Sequence, residues 1–165
     1  MQLLGSFKAE DVEDDAPKYD YSLFKSRKAA RAIVFDGDKV ALIQIHNHDY
    51  YMLPGGGIEE EGIIAGLSRE IMEELGCNVK ITGEVGSAEV YFGRWGTKQI
   101  DYCYTAKKFG INTGTSMTDF EKEEGHKVIW ASSLSKAIRL LEDAKPLNLE
   151  GKLVQARDLL FLKSI

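Results

Sequence analysis

Three glutamates, Glu70, Glu73 and Glu74, crowd together in the stretch GGGIEEEGIIAGLSREIMEELGC, residues 55–77. The stretch reads as a glycine-rich turn and then a helix from about Ile63 to Leu75, ended by Gly76 as a left-handed residue. At about 100° per residue, Glu73 and Glu74 fall on either side of Glu70, so the three carboxylates share an arc of about 100°. Ile64, Leu67, Ile71 and Leu75 take a different arc, which can face a core. Acidic helix faces are usually laced with Lys or Arg four residues on. Here that spacing gives Glu74 to Glu70, Cys77 to Glu73 and Asn78 to Glu74, and Arg69 alone offers a counter-charge, to Glu73. Such crowding is relieved by solvent, or by a hard divalent cation such as Mg2+ or Mn2+, which favours carboxylate oxygen. The helix by itself leaves both open.

The spacing says more. Gly55, five residues, Glu61, seven residues and then REIMEELGC from Arg69 to Cys77 resembles the Nudix box, G-x5-E-x7-R-E-U-x-E-E-x-G-U, where U is a bulky apolar residue. Tyr51 fills the aromatic position that family members often carry ahead of Leu-Pro-Gly-Gly. The resemblance is specific over residues 51–77, looser over 28–163, and does not reach the first 25 residues. It implies the Nudix fold, an α/β/α sandwich with a mixed central sheet between helices. It divides the chain into an N-terminal arm, residues 1–25, and a Nudix domain, residues 26–165. The implied activity is hydrolysis of a phosphoric anhydride bond in a nucleoside diphosphate linked to another group.

The same resemblance assigns roles. Glu70, Glu73 and Glu74 match the family's metal-binding glutamates, with Mg2+ or Mn2+ as cofactor. Glu70 matches a general base, with Glu61 or a later acid as rivals. Arg69 matches the arginine that orients a box glutamate, and Gly55, Gly56 and Gly57 shape the loop that approaches metal and phosphates. A further metal ligand is expected from Glu124, six residues before Trp130 as in the MutT-type branch, with Glu121 as runner-up. The chain departs from the pattern at Gln44, where some relatives have a phosphate-binding arginine. That leaves metal, Arg31, Lys98 or Arg94 to meet phosphate charge. Motifs that mark ADP-ribose, NADH and coenzyme A enzymes are missing, which favours nucleoside triphosphates, oxidised ones included, and keeps ADP-sugars open. The alternative is a Nudix-like domain that senses a nucleotide without cleaving it; the complete set of box acids argues against it.

The elements around the box can be read in order. AARAIVF and KVALIQI, joined by Asp36-Gly37-Asp38, read as a hairpin in a central sheet covered on both faces. His46-Asn47-His48-Asp49 reads as a polar loop rather than a metal pair. Residues 79–109 hold two or three strands with a turn at Arg94–Thr97, and a strand ends near Trp130. Ser133 is a candidate N-cap for a helix through Leu141, and residues 149–162 read as a closing helix. Tyr19, Tyr21 and Phe24 can pack the arm onto the body or onto a second subunit.

At 165 residues the chain is long enough for a sizeable core. A net charge of −5 gives no basic footprint for duplex nucleic acid. Two cysteines make no disulfide framework. The acidic start lacks a signal sequence and no apolar run reaches membrane length, so the cytoplasm is the expected compartment. A nucleotide-type small molecule is the expected partner, and homodimerisation stays open.

Overall fold

The computed structural model describes residues 1–165. In chain order the elements are β1 (Leu3–Phe7), α1 (Ala9–Val12), β2 (Lys25–Asp36), β3 (Lys39–Ile45), β4 (Tyr50–Met52), α2 (Ile63–Leu75), β5 (Asn78–Phe92), β6 (Thr97–Phe109), α3 (Asp119–Glu123), β7 (His126–Ala131), α4 (Leu134–Asp143) and α5 (Leu149–Leu162). The seven strands form one mixed sheet in the order β1-β5-β6-β2-β3-β4, with β7 on the other edge of β3.

Alternation along the two apolar strands builds a core on each face. Ala30, Ala32 and Val34 of β2, with Ala41, Ile43 and Ile45 of β3, face Leu67, Ile71 and Leu75 of α2. Their neighbours Ile33, Val40 and Leu42 point the other way, toward Ala137 and Leu141 of α4 and Phe161 and Leu162 of α5. Each Val, Leu, Ile or Phe among them, fully removed from water, contributes about 1.5–3 kcal/mol. The result is the expected sandwich of helices about a mixed sheet.

The hairpin is shorter than its strands. β2 and β3 pair only at Phe35↔Val40 and Asp36↔Lys39. Beyond that point β3 turns to β4 and β7, while β2 runs parallel to β6 from Lys25↔Thr97 to Phe35↔Lys107. The vacated edge of β2 is taken by the glycine loop. Ala32 N–H donates to Pro54 O, Ala30 N–H to Gly56 O and Ile58 N–H to Lys28 O, each at 3.0 Å. The loop that opens the box is therefore bonded like a strand to the centre of the sheet.

The helix ends follow local chemistry. Gly76 has φ 65° and its N–H closes α2 on Met72 O at 3.0 Å. Ser133 caps α4 by accepting from Lys136 N–H, and Asn148 caps α5 by accepting from Gly151 N–H. The arm lies on its own body: β1 adds parallel to β5 from Leu3↔Ser87 to Phe7↔Val90. The Tyr21 ring meets Tyr91 at 5.2 Å and its hydroxyl donates to Glu10 at 2.6 Å. No helix is long and apolar enough to cross a membrane.

Candidate active site

The glycine loop and α2 meet in one corner, and each glycine there is a close approach. Gly55 has φ 128°, and a Cβ on it would overlap the Ala30 carbonyl oxygen. Its N–H donates to Glu74 Oε2 at 2.7 Å, and its carbonyl accepts from Arg31 Nη1. A Cβ on Gly56 would run into the Glu70 carboxylate. The Gly57 carbonyl accepts from Arg69 Nη2 at 3.3 Å. Gly55→Ala is therefore expected to displace the loop from Glu74, since the backbone strain of a side chain there is about 1–3 kcal/mol before any clash is relieved. Turnover should fall far more than the melting temperature, as steady-state kinetics beside a thermal melt would show.

Arg69 ties the acids together. Its Nη2 meets Glu61 Oε1 at 3.0 Å, and its Nη1 meets Glu70 Oε1 at 2.8 Å and Glu73 Oε2 at 3.4 Å. The sequence pointed to Glu73 as its partner. Glu61 and Glu70 are closer, because the loop folds Glu61 back over the helix and the long guanidinium reaches its immediate neighbour. The hydrogen bonds from Glu61's own backbone and from Arg69 hold Glu61 below the ordinary carboxylate range.

Glu70 and Glu74 are pushed the opposite way. Burial raises Glu70, with Arg69 opposing and Glu73 adding to the rise. Glu74 is 3% exposed, and burial carries it up to about 8 against the Gly55 N–H and the Arg31 charge, with Glu70 and Glu121 pushing in the same direction as burial. A corner that holds carboxylates above their usual range is short of positive charge. Its donors are hard oxygens, and the Glu73 side chain is 43% exposed. Hard oxygen donors of this kind are the type a hard divalent cation takes, although no three of these acids are gathered closely enough here to hold one without rearrangement.

The remaining expected residues are distributed differently. Arg31 sits under the loop rather than in front of it: Nε donates to Asp101 at 3.1 Å, and Nη1 to the Gly55 and Leu53 carbonyls. Lys98 is joined to Glu89 at 2.6 Å, and Arg94 lies over Trp95. Glu124 bonds His48 Nε2 at 2.5 Å and has no hydrogen bond or ion pair to the box acids. It lines a cleft of about 320 Å3 with Trp95 and His126. Glu121 is the acid of that segment whose charge is felt at Glu74, although its carboxylate also caps α3 by accepting from Thr118.

A buried charge network behind the loop was not anticipated from the sequence. Asp101 accepts from Arg31, from Arg157 Nη1 at 3.2 Å and from Gln99 Nε2 at 2.9 Å. Arg157 Nε donates to Asp158 at 2.7 Å, and Asp158 accepts from Leu53 N–H at 2.8 Å. α5 thereby grips the segment that leads into the glycine loop. The signal for it was the pair Arg157-Asp158 inside the otherwise apolar VQARDLLFL. Arg27 was missed as well. It is exposed, its Nη2 lies beside Gly57, and it borders a cavity of about 240 Å3 between β2, β6 and α5.

The network has a pH signature. Burial alone would raise Asp101, but Arg157, Arg31 and the Gln99 amide outweigh it and hold the carboxyl below its ordinary value. A depressed folded-state value means that the unfolded chain takes up the proton first. The stabilisation is then complete above about pH 4 and is lost as pH falls through the lowered value. Carboxyl carbon NMR should find Asp101 still ionised where exposed aspartates have protonated, and its titration should coincide with acid unfolding.

The NUDIX domain family model matches residues 25–146. No curated protein matches the chain in sequence. Among solved structures, the MutT protein from Methanosarcina mazei Go1 superposes with a TM-score of 0.58 at 16% identity, covering 85% of this chain and 92% of its own. The MutT protein from Bacillus halodurans gives 0.57 at 24% identity, covering 81% and 82%. An ADP-ribose pyrophosphatase from Streptococcus suis gives 0.52 at 22% identity, covering 84% and 90%. At these identities the likeness is one of fold.

Proposed function

Since the chain belongs to the NUDIX domain family, whose members hydrolyse pyrophosphate bonds, we propose that it is a divalent-metal-dependent pyrophosphohydrolase of nucleoside diphosphate derivatives. Nucleoside triphosphates, oxidised ones included, are the favoured substrates, with ADP-sugars as the second class. The observation that carries the reading is the convergence of Glu61, Glu70, Glu73 and Glu74 on one arginine and one glycine loop. Residues 26–165 make up the working unit, with residues 1–25 as an arm against β5.

In this reading Glu70, Glu73 and Glu74 would hold Mg2+ or Mn2+, which when bound neutralises phosphate charge and acidifies water. Arg69 holds Glu61 and Glu70 in place and limits their mutual repulsion. The backbone of Gly55 fixes Glu74 through its N–H. Glu70, half-buried and raised, is the base candidate, because a carboxylate lifted toward neutrality is a better proton acceptor. Glu61 is disfavoured in that role by its two contacts with Arg69 and its lowered value. Arg27, uncommitted beside Gly57, is suited to a phosphate oxygen; the committed Arg31 and Lys98 are not. Arg31 instead supports the loop. Glu121 ranks ahead of Glu124 as an outer acid because its charge reaches Glu74.

The test is phosphate and pyrophosphate release from a panel of nucleoside triphosphates, 8-oxo-dGTP, ADP-ribose, nucleotide sugars and diadenosine polyphosphates, with Mg2+ or Mn2+. Release from at least one class is expected. Tight binding of a panel member with no release from any would overturn the hydrolase reading in favour of a nucleotide sensor.

A further inference from the structure

The N-terminal arm bears on one turn of the body. β1 is fixed on β5 as far as Phe7↔Val90, Glu13 is joined to Lys152 of α5 at 2.6 Å, and Lys25 N–H donates to the Gly96 carbonyl at 2.9 Å. Between the last two anchors, Tyr19 lies against the turn from β5 to β6. A Cβ on Gly93 would run into Cζ and both Cε atoms of the Tyr19 ring, the three nearest atoms it would meet. Gly93 has no left-handed φ, so the ring rather than the backbone excludes a side chain there. The ring is itself held in a cluster. Tyr21 and Phe24 each lie 6.1 Å from Tyr19, and Tyr91 of β5 lies 5.2 Å from Tyr21.

The turn carries Arg94 and Trp95. Trp95 is 59% exposed and lines both the 240 Å3 cavity that Arg27 borders and the 320 Å3 cleft that Glu124 borders. Arg94 lies over the Trp95 ring and lines the same cleft. Side chains this exposed, on so short a turn, are placed by the path of the backbone through Gly93. We propose that the arm clamps this wall and that Tyr19 is a positioning residue, which seats Gly93 and so holds Arg94 and Trp95 where substrate meets them. The role in substrate binding rests on the hydrolase reading; the contact of ring and turn does not. A wall fixed in advance is spared the cost of being ordered when ligand arrives. The clamp therefore acts on affinity. The acids and the glycine loop stand on other elements, so the chemical step is left alone. The residues that form the clamp, 1–24, precede the stretch that the family model matches.

The test compares Tyr19→Ala, Tyr19→Phe, Gly93→Ala and the double variant Tyr19→Ala/Gly93→Ala in the full chain, labelled with 5-fluorotryptophan. The chain has two tryptophans, so Trp95→Phe assigns the two 19F resonances and Trp130 serves as the control. Tyr19→Ala and Gly93→Ala should each shift or broaden the Trp95 resonance alone. Each should raise KM for the best panel substrate about tenfold and leave kcat within about twofold. Tyr19→Phe keeps the ring and should keep native values. Because Gly93→Ala acts by expelling the ring, the double variant should be no worse than Tyr19→Ala. A lower melting temperature with KM and the Trp95 resonance unmoved overturns the clamp, and so do additive effects in the double variant. If the native protein hydrolyses no panel compound, the hydrolase reading falls, and the dissociation constant of the compound that binds takes the place of KM. Weakening by about tenfold in Tyr19→Ala then upholds the clamp, and no change overturns it. If no compound binds, both fall.

Discussion

Asp101→Ala is expected to cost about 3–5 kcal/mol, the usual loss when one partner is taken from a buried ion network. Against a total stability of about 5–15 kcal/mol, that places the variant at the edge of folding. The reason is specific. Asp101 is 0% exposed and is the common acceptor for Arg31 and Arg157. Without it, two guanidiniums remain with Asp158 as their only carboxylate partner, on Arg157. Part of the damage should reach the site, because Arg31 also holds the Gly55 carbonyl and Asp158 holds Leu53. Urea unfolding should show a lower midpoint with an unchanged slope. A loss under about 1 kcal/mol would mean that water or a shifted side chain compensates both arginines.

Glu73→Gln is expected to do the reverse, keeping the fold and removing turnover. The Glu73 side chain is 43% exposed, and its contacts with Arg69 are long, at 3.4 and 3.5 Å. The structure therefore depends on it little, and losing one charge from a crowd of like charges should change stability by no more than about 0.5 kcal/mol. A neutral amide cannot replace a carboxylate beside a divalent cation. With several kcal/mol of transition-state stabilisation at stake, turnover should drop by about a hundredfold or more. Rates near those of the native protein in a folded variant would remove Glu73 from the site.

What could be read from the sequence was what is local. α2 runs from Ile63 to Leu75 as its periodicity and Gly76 indicate, because both signals lie within the helix itself. The nearly continuous apolar runs of β2 and β3 gave their two-faced burial. Glu70 and Glu74 share a face because helical spacing requires it. The non-local pairings were not legible. Nothing in LLGSF says that it will lie parallel to Ser87–Val90. The partner of Arg31 is 70 residues away on a strand that joins β2 only through the parallel crossover. A sequence shows that Arg31 is a cation but not that its charge is already committed. The order of Glu121 and Glu124 turns on how α3 ends at Gly125, φ 76°, and on His48 reaching across to Glu124. Spacing from Trp130 could not resolve that.

The central claim is that the acids of this corner work through a divalent cation. The most direct measurement is the initial rate of release from the best panel substrate, taken on chelator-treated protein as Mg2+ is added back. The rate should be at background without metal, rise to saturation with Mg2+, and stay near background at every Mg2+ concentration in Glu73→Gln. A full rate in the presence of excess chelator, or an identical Mg2+ curve for Glu73→Gln, would contradict it.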